Sequence, residues 1–271
     1  MEIILLRASY WNEAKEVKMN LFNLSGKVAI VTGGARGIGL ALANGVAEAG
    51  ATIALVDVLR DDVENSSNAL EKKGFKSLAI QADVSNRESV KNMADQIIKK
   101  LNKVDILINN AGVSIGKSVE DTEEKDWDFV LNVNLKGPLF CSQVVGKYMM
   151  QQKKGKIINI TSVVEKVGAD FRSAYCASKG GLAQLTKVMA IEWGKYNINV
   201  NAIAPGLIWT PRTEAYEKAE PGRYDKILNR LSLRRWGKPE DLIGTAIFLA
   251  SEASDYITGQ TIFVDAGWTI T

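Results

Sequence analysis

The sequence predicts an α/β fold: one doubly wound, parallel, seven-stranded sheet with helices on both faces, in a single domain. Three features point to it. Short Val/Ile/Leu runs recur between longer helical patterns, the runs are nearly continuous rather than alternating, and a glycine-rich turn divides the first run from the first helix. A strand that is apolar on both sides must be covered on both faces, as in a parallel sheet with crossover helices. Right-handed crossovers then wind the helices onto both sides.

In chain order, the expected strands are residues 28–31, 52–56, 77–80, 106–108, 157–160, 198–204 and 261–264. Helices are expected at about 37–49 and 60–73, the latter strongly charged. Further on, Ala174, Ala177, Leu182, Leu185, Val188 and Met189 recur at helical spacing and predict a buried helix. The prolines are Pro138, Pro205, Pro211, Pro221 and Pro239, and all but the first fall in residues 205–239. A long excursion inside a compact domain is usually functional, so residues 206–238 are expected to form a substrate lid, with the last helix starting near Pro239. Residues 1–20 stand apart. Ile3-Ile4-Leu5-Leu6 follows Glu2 and is too short for a signal-peptide core, so an N-terminal tail is expected before a domain over 21–271.

Composition narrows the chemistry. With 271 residues, 46% hydrophobic and 24% charged, the chain can bury a full core. The net charge of +3, from 34 basic and 31 acidic residues, is interleaved and gives no argument for a nucleic-acid partner. No apolar run reaches bilayer length. Histidine is absent, which excludes Ser-His-Asp and Cys-His hydrolases and any histidine general base. Cys141 and Cys176 are the only thiols and have no imidazole to join them, so the usual zinc sites fail and no metal is expected. Two cysteines make no disulfide framework, and a cytoplasmic setting is expected.

The turn after the first strand reads Thr32-Gly33-Gly34-Ala35-Arg36-Gly37-Ile38-Gly39. It departs from G-x-G-x-x-G, because Leu42 stands at the last glycine position, and follows T-G-x-x-x-G-x-G instead. Glycines there let backbone approach a pyrophosphate lying on a helix N-terminus. Asp57, at the end of the second strand and 18 residues past Gly39, is placed to accept hydrogen bonds from both ribose hydroxyls of an adenosine. A 2′-phosphate there meets like charge, at about 1–4 kcal/mol near 4 Å. Arg36, helped by Arg60, argues the other way, since a loop guanidinium can grip a 2′-phosphate. NAD is therefore expected over NADP.

The second chemical signal is Ser162, then Tyr175-Cys176-Ala177-Ser178-Lys179. Tyr175 and Lys179 are i and i+4, one turn apart on one helix face, and Ser162 follows a strand end. Without histidine, a tyrosine serves as acid and base at neutral pH only if its phenol falls by roughly three units from 10, about 4 kcal/mol. A neighbouring ammonium and a positively charged nicotinamide ring supply that stabilisation.

Together these residues resemble the short-chain dehydrogenase/reductase family, over about residues 21–268. The resemblance implies a Rossmann-type sheet, a dinucleotide cofactor and a homotetramer. It implies a catalytic tetrad of Asn134, Ser162, Tyr175 and Lys179. In it Ser162 orients the substrate oxygen, Tyr175 moves the proton, Lys179 supports the phenolate and binds ribose, and Asn134 holds a water leading to Lys179. Cofactor contacts are implied at Gly33, Arg36, Gly37, Ile38, Gly39 and Asp57, and at Asp83 and Val84 against adenine. Others are implied at Asn110, Ala111 and Gly112 within the N-N-A-G segment that begins at Asn109, at Tyr175 and Lys179, and at Pro205, Gly206, Ile208 and Thr210 around the carboxamide.

For the substrate, the lid carries Trp209, Arg212, Tyr216, Arg223, Tyr224, Arg230, Arg234, Arg235 and Trp236, which suit a polyhydroxylated compound with a carboxylate. The stretches 192–196, 235–241 and 264–268 resemble the gluconate 5-dehydrogenase-like, sugar-acid branch of the family. The expected activity is NAD-dependent interconversion of a secondary alcohol and a ketone on a sugar, polyol or sugar acid. The alternatives are an NADPH-dependent 3-oxoacyl-carrier-protein reductase or general carbonyl reductase, and a non-catalytic dinucleotide-binding scaffold.

Overall fold

The structure, a computed structural model, describes residues 21–271. The expected tail at 1–20 lies outside the described residues. Seven strands form one parallel sheet in the order β3-β2-β1-β4-β5-β6-β7: β1 Val28–Thr32, β2 Thr52–Asp57, β3 Ser77–Gln81, β4 Ile106–Asn109, β5 Gly155–Ile160, β6 Ile198–Pro205 and β7 Thr261–Val264. The main helices are α1 Gly37–Glu48, α2 Arg60–Lys72, α3 Arg87–Leu101, α4 Glu124–Leu131, α5 Gly137–Gln152, α6 Ser173–Trp193, α7 Pro211–Ala219, α8 Asp225–Leu228 and α9 Ile243–Ala250.

The continuous apolar strands divide their side chains between two cores with the two-residue period of a pleat. Ala29, Val31, Ile53, Leu55, Ile106 and Ile108 face one side, against Leu42 and Val46 of α1 and Leu249 of α9. Ile30, Ala54, Val56 and Leu107 face the other, against Met93 and Ile97 of α3 and Val145 and Met149 of α5. A sheet sandwiched in this way cannot slip register by one residue without exchanging its two cores.

The chain runs outward from β1 to β2 and β3, then returns so that β4 lies on the other flank of β1. The strand order thus reverses between β1 and β4, and open α/β sheets bind ligands beyond the carboxyl ends of the strands at such a point. A buried polar seam fixes the helices there. Asn109 Nδ2 donates to Ser142 Oγ of α5 at 3.1 Å and to Asn159 Oδ1 of β5 at 2.9 Å, and Asn159 Nδ2 donates to Thr186 Oγ1 of α6 at 2.9 Å.

Two expectations change. Ala177 and Val188 are not buried: α6 packs through Ala174, Ser178, Leu182, Thr186 and Met189, leaving Val188 48% and Ile191 82% exposed. The helical period holds, but two apolar positions lie on the outer face of α6, which is left exposed among the described residues. The last helix starts later than expected. Residues Pro239–Leu242 form a single 3₁₀ turn, closed by Asp241 Oδ2 accepting from the Lys238 amide at 2.7 Å, and α9 follows from Ile243. Proline suits that first turn because its missing amide has no helical partner to satisfy.

Candidate active site

A cleft of about 1500 Å³ opens along the carboxyl edge of the sheet. One end is built by the glycine-rich turn after β1. Thr32 Oγ1 accepts from the amides of Asn110 and Ala111 at 3.1 and 3.2 Å, while Asn110 Nδ2 donates to Thr32 O and Gly33 O, both at 3.0 Å. The turns after β1 and β4 therefore strap each other in place. Gly33 has φ +62 and a Cβ there would lie 2.8 Å from Ala111 Cα, so only glycine meets both demands.

Gly33, Arg36, Gly37 and Ile38 line the cleft at the N-terminus of α1, where helix amides point outward. Gly39 does not. It is buried beneath the turn, where a Cβ would collide with Gly33 O and Asn110 Nδ2, and its part is to let α1 close on the loop. Leu42, at the position that departs from the G-x-G-x-x-G pattern, is fully buried in the core.

Asp57 also lines the cleft, and its carboxylate is held from both sides. Oδ2 accepts from the Ala35 amide and Oδ1 from the Leu59 amide, each at 3.2 Å. Arg60 is turned away: it pairs with Glu64 at 3.3 Å, one turn along α2, and is absent from the cleft wall. Asp83 and Val84 line the same end, the former capping Ser85 through Oδ1 at 2.8 Å. Asn110, Ala111 and Gly112 follow along the floor.

At the other end, Ser162, Tyr175 and Lys179 share the wall. Ser162 stands just past β5, and its Oγ accepts from the Val164 amide at 3.4 Å. Lys179 is 4% exposed and its Nζ donates to Ile160 O at 2.7 Å, 5.7 Å from the Tyr175 ring centroid. Burial lowers this ammonium from its ordinary range to about 7; the nearby Arg212 adds to the effect and Glu165 opposes it. Asn134 sits in a π turn, Asn132–Lys136, between α4 and α5. Its side chain is committed to protein: Oδ1 accepts from the Val113 amide at 2.8 Å, and Nδ2 donates to Val113 O at 2.9 Å and Ser178 Oγ at 3.1 Å.

Pro205, Gly206, Ile208 and Thr210 line the cleft after β6, with Thr210 capping α7 through the Thr213 amide at 3.3 Å. Of the residues expected over the cleft, Arg212, Tyr216, Arg223, Tyr224 and Arg230 reach it, and Trp209, Arg234, Arg235 and Trp236 do not. Trp236 is spent on packing, edge-on to Trp209 at 4.8 Å and to Tyr224 at 5.0 Å, and Arg235 forks onto Asp241 at 2.8 and 3.0 Å. Sequence reasoning missed Ser114, Asp170, Phe171, Arg172 and Lys226 on the wall. Only the place of Arg172, three residues before Tyr175, was a usable signal.

A family model described as enoyl-(acyl carrier protein) reductase matches residues 33–269, most of the chain. The chain belongs to the short-chain dehydrogenase/reductase family. It is an NAD(P)-dependent oxidoreductase acting on CH–OH groups. It is 41% identical over 251 residues to a 2-dehydro-3-deoxy-D-gluconate 5-dehydrogenase of Dickeya dadantii (strain 3937), covering 92% of this chain and 98% of that protein. It is 39% identical over 250 residues to an NAD-dependent glycerol dehydrogenase of Listeria innocua, covering 92% and 96%. Among solved structures, a gluconate 5-dehydrogenase from Burkholderia cenocepacia J2315 in complex with NADP and tartrate superposes with a TM-score of 0.90 at 36% identity, covering 93% and 98%. No helix among the described residues is long and apolar enough to cross a membrane.

The described residues fit a dinucleotide. Gly33 and Gly37 present positive-φ backbone without side chains to the cleft beside the N-terminus of α1, Asp57 offers a fixed carboxylate beyond them, and the same cleft extends to Tyr175.

Proposed function

We propose that this short-chain dehydrogenase/reductase interconverts a secondary alcohol and a ketone on a sugar, polyol or sugar acid, in the manner of the gluconate 5-dehydrogenases. Ser162, Tyr175 and Lys179 do the chemistry and NAD is the preferred cofactor. The observation that carries the reading is that these three side chains line one cleft, with Lys179 against the Tyr175 ring, and that Arg172, Arg212, Arg223, Lys226 and Arg230 line the same cleft. When bound, the dinucleotide supplies the hydride acceptor or, in the reverse direction, the donor.

The chain's own residues manage the proton. Ser162 orients the substrate oxygen through its hydroxyl. Tyr175 takes the proton from that oxygen, or returns it. Lys179, whose Nζ lies 5.7 Å from the Tyr175 ring centroid, stabilises the negative charge that forms on the phenol. Asn134 acts as a positioning residue: it ties the Val113 turn to α6 through Ser178, one residue from Lys179. A binding-only scaffold has no use for an ammonium kept in so unfavourable a site.

Asp57 supports the preference for NAD, since its carboxylate is fixed by two amides and unpaired with any described cation. Arg36 lies exposed beside it and provides for secondary use of NADP. The reading includes residues 206–238 as a lid and a cytoplasmic homotetramer. Support for the tetramer comes from the outer face of α6 with Val188 and Ile191, and light scattering tests it.

The test is reduced-dinucleotide formation from NAD and NADP over D-gluconate, 2-dehydro-3-deoxy-D-gluconate, sorbitol and glycerol, with acetoacetyl thioester reduction as the contrasting arm. Turnover of a sugar acid or polyol with NAD is expected. Activity confined to the thioester with NADPH would assign the acyl-carrier-protein reductase reading instead.

A further inference from the structure

The geometry points to Arg172 as the residue that selects substrates bearing a carboxylate. This rests on the sugar-acid reading above and deepens it.

Arg172 immediately precedes α6, and its carbonyl accepts from the Cys176 amide at 2.8 Å, so it sits one helical turn before Tyr175. Both its backbone and its side chain are held. Phe171 adopts φ +57, a left-handed conformation rare for an aromatic residue, and its carbonyl accepts from the Lys117 amide at 3.2 Å. That turn pairs Arg172 with Lys117 in an isolated parallel bridge and sends the guanidinium into the cleft. Arg172 Nη1 donates to Ser114 Oγ at 2.6 Å, and the guanidinium carbon lies 5.2 Å from the Tyr216 ring centroid.

The Arg172 guanidinium is thus held by two neutral groups, Ser114 and Tyr216, and among the described residues no carboxylate lies within ion-pair distance of it. Two of its neighbours differ. Lys117 is paired with Glu123 and Asp126, and Arg223, on the same Tyr216 ring at 5.6 Å, is paired with Glu220 at 2.9 Å. Arg212 has no carboxylate partner among the described residues either, but it is exposed and reaches only Gly112 O, at 3.4 Å. The carboxylates on this part of the wall are Asp170 and Glu220, and the latter is already taken. A rigid, half-buried guanidinium with an open edge matches a carboxylate in a two-bond fork, which an ammonium cannot reproduce. A sugar acid held there has its carboxylate anchored one helical turn from the phenol, so one carbinol is presented to Tyr175.

The test compares Arg172→Gln and Arg172→Lys with the wild type on D-gluconate and on sorbitol, which has the same carbon length and no charge. Arg172→Gln is expected to lower kcat/KM for gluconate about 10- to 100-fold, mostly through KM, and to leave sorbitol turnover and NADH affinity within two- to three-fold. Arg172→Lys should recover only part of the loss. An equal fall on both substrates, or none on gluconate, overturns the proposal. A second measurement stands apart from sugar oxidation: D-tartrate binding to the NADH complex, followed by calorimetry. Arg172-dependent tartrate binding in an enzyme inactive on gluconate upholds the anion site and removes the sugar-acid reading. No tartrate binding, or equal binding by Arg172→Gln, overturns the site while leaving the reading to the turnover panel.

Discussion

Lys179→Met should make the unliganded protein more stable at low pH while destroying its activity. Burial brings the Lys179 amine from 10.5 in the open chain to about 7 in the fold. The folded state therefore binds fewer protons than the unfolded state between those values, and stability rises with pH across that window. Below pH 7 the full penalty for keeping the ammonium buried is present, at most ~5 kcal/mol at 1.36 kcal/mol per unit. Its hydrogen bond to Ile160 O, at 2.7 Å, offsets part of that cost. Methionine fills similar space without charge and leaves that carbonyl without its amine donor, a loss that does not vary with pH. The discriminating quantity is thus the pH dependence of the stability difference. In urea melts from pH 6 to pH 9.5, the advantage of the variant should be constant below about 7 and then shrink by up to ~1.4 kcal/mol per pH unit. A difference that does not vary with pH would refute the argument that Lys179 is strained by burial.

Two further outcomes follow from the nucleotide end. Asp57→Asn removes the charge and keeps an acceptor for only one of the two amides, Ala35 or Leu59. The ratio of kcat/KM for NAD to that for NADP should fall at least about five-fold, from a like-charge term of about 1–4 kcal/mol; an unchanged ratio would assign cofactor choice elsewhere. Gly39→Ala forces a Cβ onto Gly33 O and Asn110 Nδ2, which are backbone and a hydrogen-bonded amide with nowhere to go. It should cost about 1–3 kcal/mol or more and weaken NADH binding, as read by thermal melts and fluorescence titration.

Much of this molecule is legible in its sequence because its local and tertiary signals agree. The seven strands are short β-branched runs whose two-sided burial leaves only a covered parallel sheet, and each appears within a few residues of its expected bounds. Ser162, Tyr175 and Lys179 were readable because a strand end and a helical i, i+4 pair fix their relation before any tertiary contact is known. What escaped depends on direction rather than spacing. Val188 and Ala177 have the helical period of a core, yet face outward, since period alone does not say which side of α6 meets the sheet. Arg234, Arg235 and Trp236 look like cleft residues in sequence, but Asp241, Trp209 and Tyr224 claim the latter two. Arg172 escaped for the opposite reason: its place three residues before Tyr175 is in the sequence, but its aim is set by the left-handed turn at Phe171, a conformation no propensity assigns to phenylalanine. The π turn that places Asn134 likewise has no sequence signature.

In the proposed mechanism a phenol beside a buried amine moves the proton, in a protein that has no imidazole. Single-turnover and steady-state kinetics of Tyr175→Phe test it most directly, with NADH affinity measured in parallel. Loss of ~10²–10⁴ in kcat, the range for a general acid–base, with dinucleotide affinity kept within a factor of two or three, is the expected result. Turnover of Tyr175→Phe within a few-fold of the wild type would contradict it.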